Sequence, residues 1–138
     1  MNLHVVLNDR ILASSPRTRV PIRSLAARRG DSLTIDVSFS MDGRVGPLPT
    51  GTIVRLAVYA APGSREPLVY ATSPTIVGRG IATRYRFSNV SFTLSGLSGQ
   101  FAAQRVVPLT LEVRVQSAYS IITTAPVTLN VSQTAQLP

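Results

Sequence analysis

His4 is the only histidine in this 138-residue chain, and cysteine is absent. Those two facts narrow the available chemistry. A Cys nucleophile, a thiolate metal site and a disulfide framework all need residues that the sequence lacks. A transition-metal site would have to rest mainly on carboxylates. A Ser-His-Asp arrangement needs its base held within hydrogen-bond reach of the nucleophile. His4 falls in a segment that reads as a loose N-terminal arm, where such placement is hard to maintain. It is therefore assigned neither a catalytic nor a metal role.

The acids are Asp9, Asp31, Asp36, Asp42, Glu66 and Glu112. Two carboxylates at a set separation suffice for glycoside hydrolysis. Here Asp36 and Glu112 fall on the polar faces of strands, while Asp31, Asp42 and Glu66 sit at turns. They do not cluster as a calcium loop requires. Gly78-Arg79-Gly80 lacks the lysine and the following helix of a phosphate-cradling loop. Arg29-Gly30-Asp31 spells the tripeptide that integrins recognise, but it reads as a turn ahead of a strand. Asn89-Val90-Ser91 and Asn130-Val131-Ser132 fit the N-glycosylation pattern, yet both lie in predicted strands and not in loops. Arg84-Tyr85-Arg86-Phe87 interleaves basic and aromatic residues as single-strand binders do. The simpler reading is a strand that buries Tyr85 and Phe87 and exposes two arginines. The expectation is a protein that is not an enzyme, with no catalytic residues, no metal and no cofactor.

Charge gives a different signal. Charged residues make up 14 % of the chain, against about 25 % in an average domain, while 44 % is hydrophobic. That balance excludes a disordered chain and suits a surface that packs against neighbours. The formal net charge is +8, and all fourteen basic residues are arginine. Arg10, Arg17, Arg19, Arg23, Arg28 and Arg29 precede the first strong strand, with no acid between Arg10 and Arg29. A basic arm of this kind contacts an acidic protein surface or nucleic acid, or is simply a solvated linker.

The elements that would carry these residues are strands. In Leu33–Ser40 the odd positions are apolar and the even ones polar. Side chains alternate between faces along a strand. Val54–Val58, Val90–Ser95, Leu109–Gln116 and Val127–Ser132 behave alike. Weaker candidates lie at Val20–Leu25, Leu68–Thr72, Thr83–Phe87 and Tyr119–Thr123, with a short strand at Leu3–Leu7. Leu33, Ile35, Val37, Phe39, Val54, Leu56, Val58, Phe92, Leu111, Val113, Leu129 and Val131 form the predicted core. Turn signals at Asp42-Gly43, Pro62-Gly63, Gly78-Arg79-Gly80 and Gly96–Gly99 separate the strands. Ser98–Gln104 has room for one short helical turn. Leu109–Gln116 and Val127–Ser132 are expected in the middle of one sheet, joined by a long loop or a kinked hairpin.

The fold expected is therefore all-β: an antiparallel immunoglobulin-like or jelly-roll-like β-sandwich of about seven to nine strands. Its expected divisions are a basic arm over 1–20, a sandwich domain over 21–132 and a tail over 133–138. No run approaches the ~18 apolar residues of a membrane-spanning helix, and the start does not read as a signal peptide.

The order Gly30-Asp31, alternating strand, Met41-Asp42-Gly43, then Leu48-Pro49-Thr50-Gly51 into a second strand resembles a known module. It is similar to the N-terminal β-sandwich of phage baseplate upper proteins and related tail or capsid-decoration domains. The likeness covers roughly Arg23 to Val58, and the Leu-to-Gly step is one residue longer than in those modules. It rests on turns and strands and implies no catalytic residue. It implies a non-enzymatic structural subunit of a virion, in the tail, baseplate or capsid surface, that docks to other virion proteins. A homo-oligomer is expected, ordered through Leu3, Val5, Leu7, Arg10, Arg17, Arg19, Arg23, Arg28 and Arg29. The alternative is a bacterial surface or secreted adhesion module binding a glycan or protein. Nucleic acid is a lesser alternative for the basic residues.

Overall fold

The computed structural model describes residues 1–17 and 20–133. The described residues form twelve strands and little helix. The first half contains β1 (Asn2–Val6), β2 (Ile11–Ala13), β3 (Ser24–Arg28), β4 (Ser32–Met41), β5 (Arg44–Val45) and β6 (Ile53–Tyr59). The second half contains β7 (Val69–Thr72), β8 (Thr75–Val77), β9 (Arg84–Ser91), β10 (Val106–Gln116), β11 (Ile121–Thr123) and β12 (Val127–Ser132). A short helix, α1 (Ser98–Ala103), falls in the stretch where one helical turn was expected. The strands make a β-sandwich of two sheets. One runs β2-β1-β4-β9-β8 with β5 beside β4, and the other β3-β12-β10-β6-β7 with β11 beside β10.

The core follows the alternation in the sequence. Ile35, Val37, Phe39, Val54, Leu56, Val58, Phe92, Leu111, Val113, Leu129 and Val131 are all buried, and Leu33 is half-buried against them. Phe39 and Tyr85 meet edge-to-face with ring centroids 5.2 Å apart, the geometry that aromatic quadrupoles favour.

β9 merges two segments that the sequence presents separately. Tyr85 and Phe87 face inward at odd positions, whereas Val90 and Phe92 face inward at even ones. The register with β4 shifts between Leu33↔Val90 and Ile35↔Phe87. Two residues of β9, Ser88 and Asn89, therefore lie opposite Thr34 alone, and Asn89 takes a φ of 56°. This is a bulge, and the extra residue restores the inward face after a change of parity.

β10 returns through a turn at Ser117–Ser120 into β11, breaks at Thr124–Pro126, and continues as β12 along the same edge. This is the kinked form of the expected hairpin. Thr124 Oγ1 accepts from Val113 N at 3.0 Å, and Ala125 N donates to Arg10 O at 2.7 Å. The kink thus leaves these backbone donors satisfied. β10 and β12 both lie in the interior of their sheet.

Two expectations are corrected. The sheets are mixed, because β1 pairs parallel to β4 and β3 pairs parallel to β12. Period-two patterning dictates which face a residue occupies but not the direction of the neighbouring strand. The N-terminal residues also do not form an arm. β1 lies between β2 and β4, and Leu3, Val5 and Leu7 are buried within the chain's own core. Their alternation belongs to an interior strand that is short enough to be outweighed by the basic stretch after it. The strands are more numerous than expected because β2, β5 and β8, of two or three residues each, carry too little pattern to be seen.

Leu111 is fully buried where β10 meets both β6 and β12. Leu111→Ala is expected to cost about 2–5 kcal/mol in urea unfolding. Glu112→Ala, on the outer face, should stay within about 0.5 kcal/mol. Deleting residues 1–7 should abolish cooperative thermal unfolding, whereas a dispensable arm would leave the transition intact.

Candidate binding groove

Three loops that are distant in sequence meet over the outer face of the first sheet. The first is a two-residue hairpin. Asp42 (φ 52°) and Gly43 (φ 76°) both adopt left-handed backbone, and Met41 pairs with Arg44. Asp-Gly is the dipeptide that favours such a turn because both positions need positive φ. Asn8 fastens it: Asp42 N donates to Asn8 Oδ1 at 2.6 Å, and Asn8 Nδ2 donates to Asp42 Oδ1 at 2.9 Å. The hairpin presents Arg44 and Val45.

The second loop joins β8 to β9. Gly78 has a φ of 81°, and a Cβ there would collide with the Ala82 carbonyl, so only glycine fits. A 3-10 turn at Gly80–Ala82 follows. Buried Thr83 closes it, with its hydroxyl donating to Gly80 O at 2.8 Å. This leaves Ile81 at 78 % exposure, with Arg84 starting β9 beside it. The third loop follows β2. Ala13 bridges Pro21 and Ile22 N donates to Leu12 O, which fixes the base beside which Ser15, Pro16 and Arg17 line the groove.

Ser15, Pro16, Arg17, Gly43, Arg44, Val45, Ile81 and Arg84 line one open groove of about 720 Å³. Three guanidinium groups share it, and among the described residues no acid lines it. Asp9 and Asp42 line an adjoining cavity of about 290 Å³ with Asn8 and Ser40.

On the same face Arg86 makes a bidentate bond to Asp36, at 2.9 and 3.1 Å. That bond holds the Asp36 carboxyl below the usual carboxylate range, against the opposing effect of burial. Tyr85 and Phe87 are buried while Arg84 and Arg86 reach outward, so this strand offers no aromatic platform for bases.

Beneath the loops lies a polar chain centred on His4, which is 1 % exposed and not part of an arm. Nδ1 is 2.6 Å from Ser38 Oγ, and Nε2 is 2.9 Å from Ser40 Oγ. Ser38 Oγ donates to Leu3 O at 3.5 Å, which leaves its oxygen to accept from Nδ1–H. Nε2 then accepts the Ser40 hydroxyl proton, as a neutral imidazole allows. The sequence shows this alternation of Ser38 and Ser40, but His4 comes from a strand 34 residues away. Burial, and secondarily the charge of Arg84, push the His4 pKa down. A hydroxyl stands where a triad places its carboxylate, so nothing here stabilises an imidazolium.

The residues proposed from sequence as partner contacts are dispersed. Leu3, Val5 and Leu7 are internal. Arg10 sits exposed in the turn between β1 and β2, with φ 55°. Arg17 joins the groove. Arg23 is exposed just before β3 and Arg28 is exposed at its end. Arg29 lies over the Phe101 ring, 4.8 Å from its centroid, in the turn where Gly30 has φ 88°. Arg19 and most of the tail over 133–138 lie outside the described residues. Arg44, which the sequence reading did not single out, and Arg84, which it read as an exposed strand residue beside Tyr85, are the ones that the fold brings to Arg17.

Among the described residues no group of three or more metal-ligating side chains occurs, and no helix is long and apolar enough to cross a membrane. No family model and no curated protein matches the chain. Among solved structures it is similar to the N-terminal domain of phage TP901-1 ORF48. The match covers 96 % of this chain and 95 % of that one, at 10 % identity and a TM-score of 0.39. A superposition that loose carries neither partner nor chemistry across.

His4 generates a pH test. Its folded pKa lies below the ordinary 6.5, so the unfolded chain binds the extra proton first. Its contribution to stability is complete above about pH 6.5 and declines as pH falls from there toward the folded pKa. The melting midpoint is expected to drop between about pH 7 and pH 5. His4→Gln should lower the midpoint at pH 7 and flatten that slope; an unchanged slope would contradict this account of His4.

Proposed function

We propose that this chain is a non-enzymatic structural subunit of a bacteriophage virion, in the tail, baseplate or capsid surface, and that it assembles with itself and with other virion proteins. The segment that resembles the phage baseplate module carries this reading. Its turns and strands support the reading as follows. Gly30-Asp31 forms the turn into β4, with Gly30 N donating to Phe92 O at 2.8 Å. Asp42-Gly43 forms the hairpin. Leu48 N donates to Tyr85 Oη at 2.8 Å, and Thr52 closes a turn on Pro49 O before β6. The non-enzymatic part of this reading draws on two placements. The polar chain at His4 is buried and lacks a carboxylate, and Asp36 is committed to Arg86.

The test is composition of the particle. Virions made from the genome that encodes this chain are purified on a density gradient and analysed by mass spectrometry. Recovery of its peptides at a stoichiometry comparable to other structural proteins is expected. Abundance in the lysate with absence from purified particles would overturn the proposal. Sedimentation of the purified chain tests the self-association it includes, for which a closed symmetric oligomer is the expected form.

A further inference from the structure

We propose that the groove bounded by Arg17, Arg44 and Arg84 docks an acidic segment of a partner protein, one that carries an apolar side chain between its carboxylates. This deepens the docking role proposed above and rests on it.

Charge selects the partner's sign. Three arginines line the groove and, among the described residues, no acid does. The nearest acid in sequence, Asp42, is turned to Asn8, and Asp36 is held by Arg86. Guanidinium groups bind carboxylates in paired, planar geometry. The groove therefore offers three such groups; Arg84 also donates to Thr83 O at 3.3 Å and acts on Asp36 through space, but the ion pair of Asp36 is with Arg86.

The walls select a polypeptide. Pro16, Val45 and Ile81 give an apolar lining between the arginines. Ile81 is 78 % exposed, yet it is held there by a loop that Gly78 and Thr83 fix. A large apolar side chain kept in water by a rigid loop is suited to covering an apolar anchor. Single-stranded nucleic acid would need aromatic faces to stack its bases, and among the described residues no aromatic side chain lines the groove. An interface with an apolar centre and a charged rim matches what partner proteins present.

Fluorescence anisotropy of the full chain tests this with three probes. One is a fluorescein-labelled peptide of aspartate and glutamate with a single central leucine. The second replaces that leucine with serine. The third is labelled oligothymidylate. The leucine peptide is expected to bind most tightly, and to weaken as salt rises from about 0.05 M to about 0.5 M. Arg17→Glu with Arg44→Glu is expected to weaken it about tenfold or more. Ile81→Ser, at an exposed position that should not disturb folding, is expected to reduce the leucine peptide to the affinity of the serine peptide. Equal affinity for both variants and the parent would overturn the proposal. So would tighter, arginine-dependent binding of oligothymidylate, which would make the groove a nucleic-acid site. The outcomes separate from those of the virion test. A chain present in particles with an inert groove refutes only the groove. A binding groove on a chain absent from particles refutes only the virion role.

Discussion

The parallel pairing of β1 with β4 is the contact on which the rest of the first sheet depends. It joins the start of the chain to a strand that begins at Ser32, across the excursion through β2 and β3. Leu3, Val5 and Leu7 enter the core from one face, while His4 and Val6 are buried on the other. A strand buried on both faces needs cover on its outer side, and the structure supplies it. Val6 and Pro16 line one cavity, placing the loop after β2 over that face. The His4 bonds to Ser38 and Ser40 then tie the two strands together by side chains as well as by backbone. Asn8, one residue past the end of the inward set, reaches the hairpin at Asp42. One pairing thus places two of the three loops of the groove.

The electrostatics follow from the same layout. With fourteen arginines and six acids, the chain cannot neutralise itself. The best-placed acid, Asp36, accepts both bonds from Arg86, and Arg84 and the amino terminus add to its stabilisation as a carboxylate. Arg84 acts in the opposite sense on His4, favouring its neutral form. One arginine therefore steadies an ionised acid and an un-ionised base on the same face. It also lines the groove beside Arg17 and Arg44. Like charges gathered on one surface repel, and that repulsion falls when a partner brings carboxylates.

The sequence made the sandwich legible because alternation is a local property that burial enforces residue by residue. The core positions in β4, β6, β10 and β12 follow from it directly. The change of parity between Tyr85-Phe87 and Val90-Phe92 was equally visible, but it reads as two strands until the bulge at Asn89 joins them. The interior place of the N-terminal strand was obscured for a physical reason. His4 and Val6 break the polar face that marks a half-exposed strand, because here that face is covered. The parallel pairings leave no trace in a strand's own pattern, since facing is encoded there and direction is not.

The groove was the least legible feature because no part of it is local. Asp42-Gly43 announces a turn, but the residue that the turn delivers, Arg44, is one arginine among fourteen. Gly78 is needed for a close approach to the Ala82 carbonyl, a contact that the string of residues does not reveal. The run of arginines before β4 drew attention as a linear cluster, yet the chain changes sheets between Ile22 and Ser24 and separates its members. Arg17 stays with the first sheet, whereas Arg28 leaves on the edge of the second. Proximity in sequence thus overstates cooperation among charges wherever a strand crosses between layers. Charges that act together in a sandwich are the ones that its loops bring to the same face.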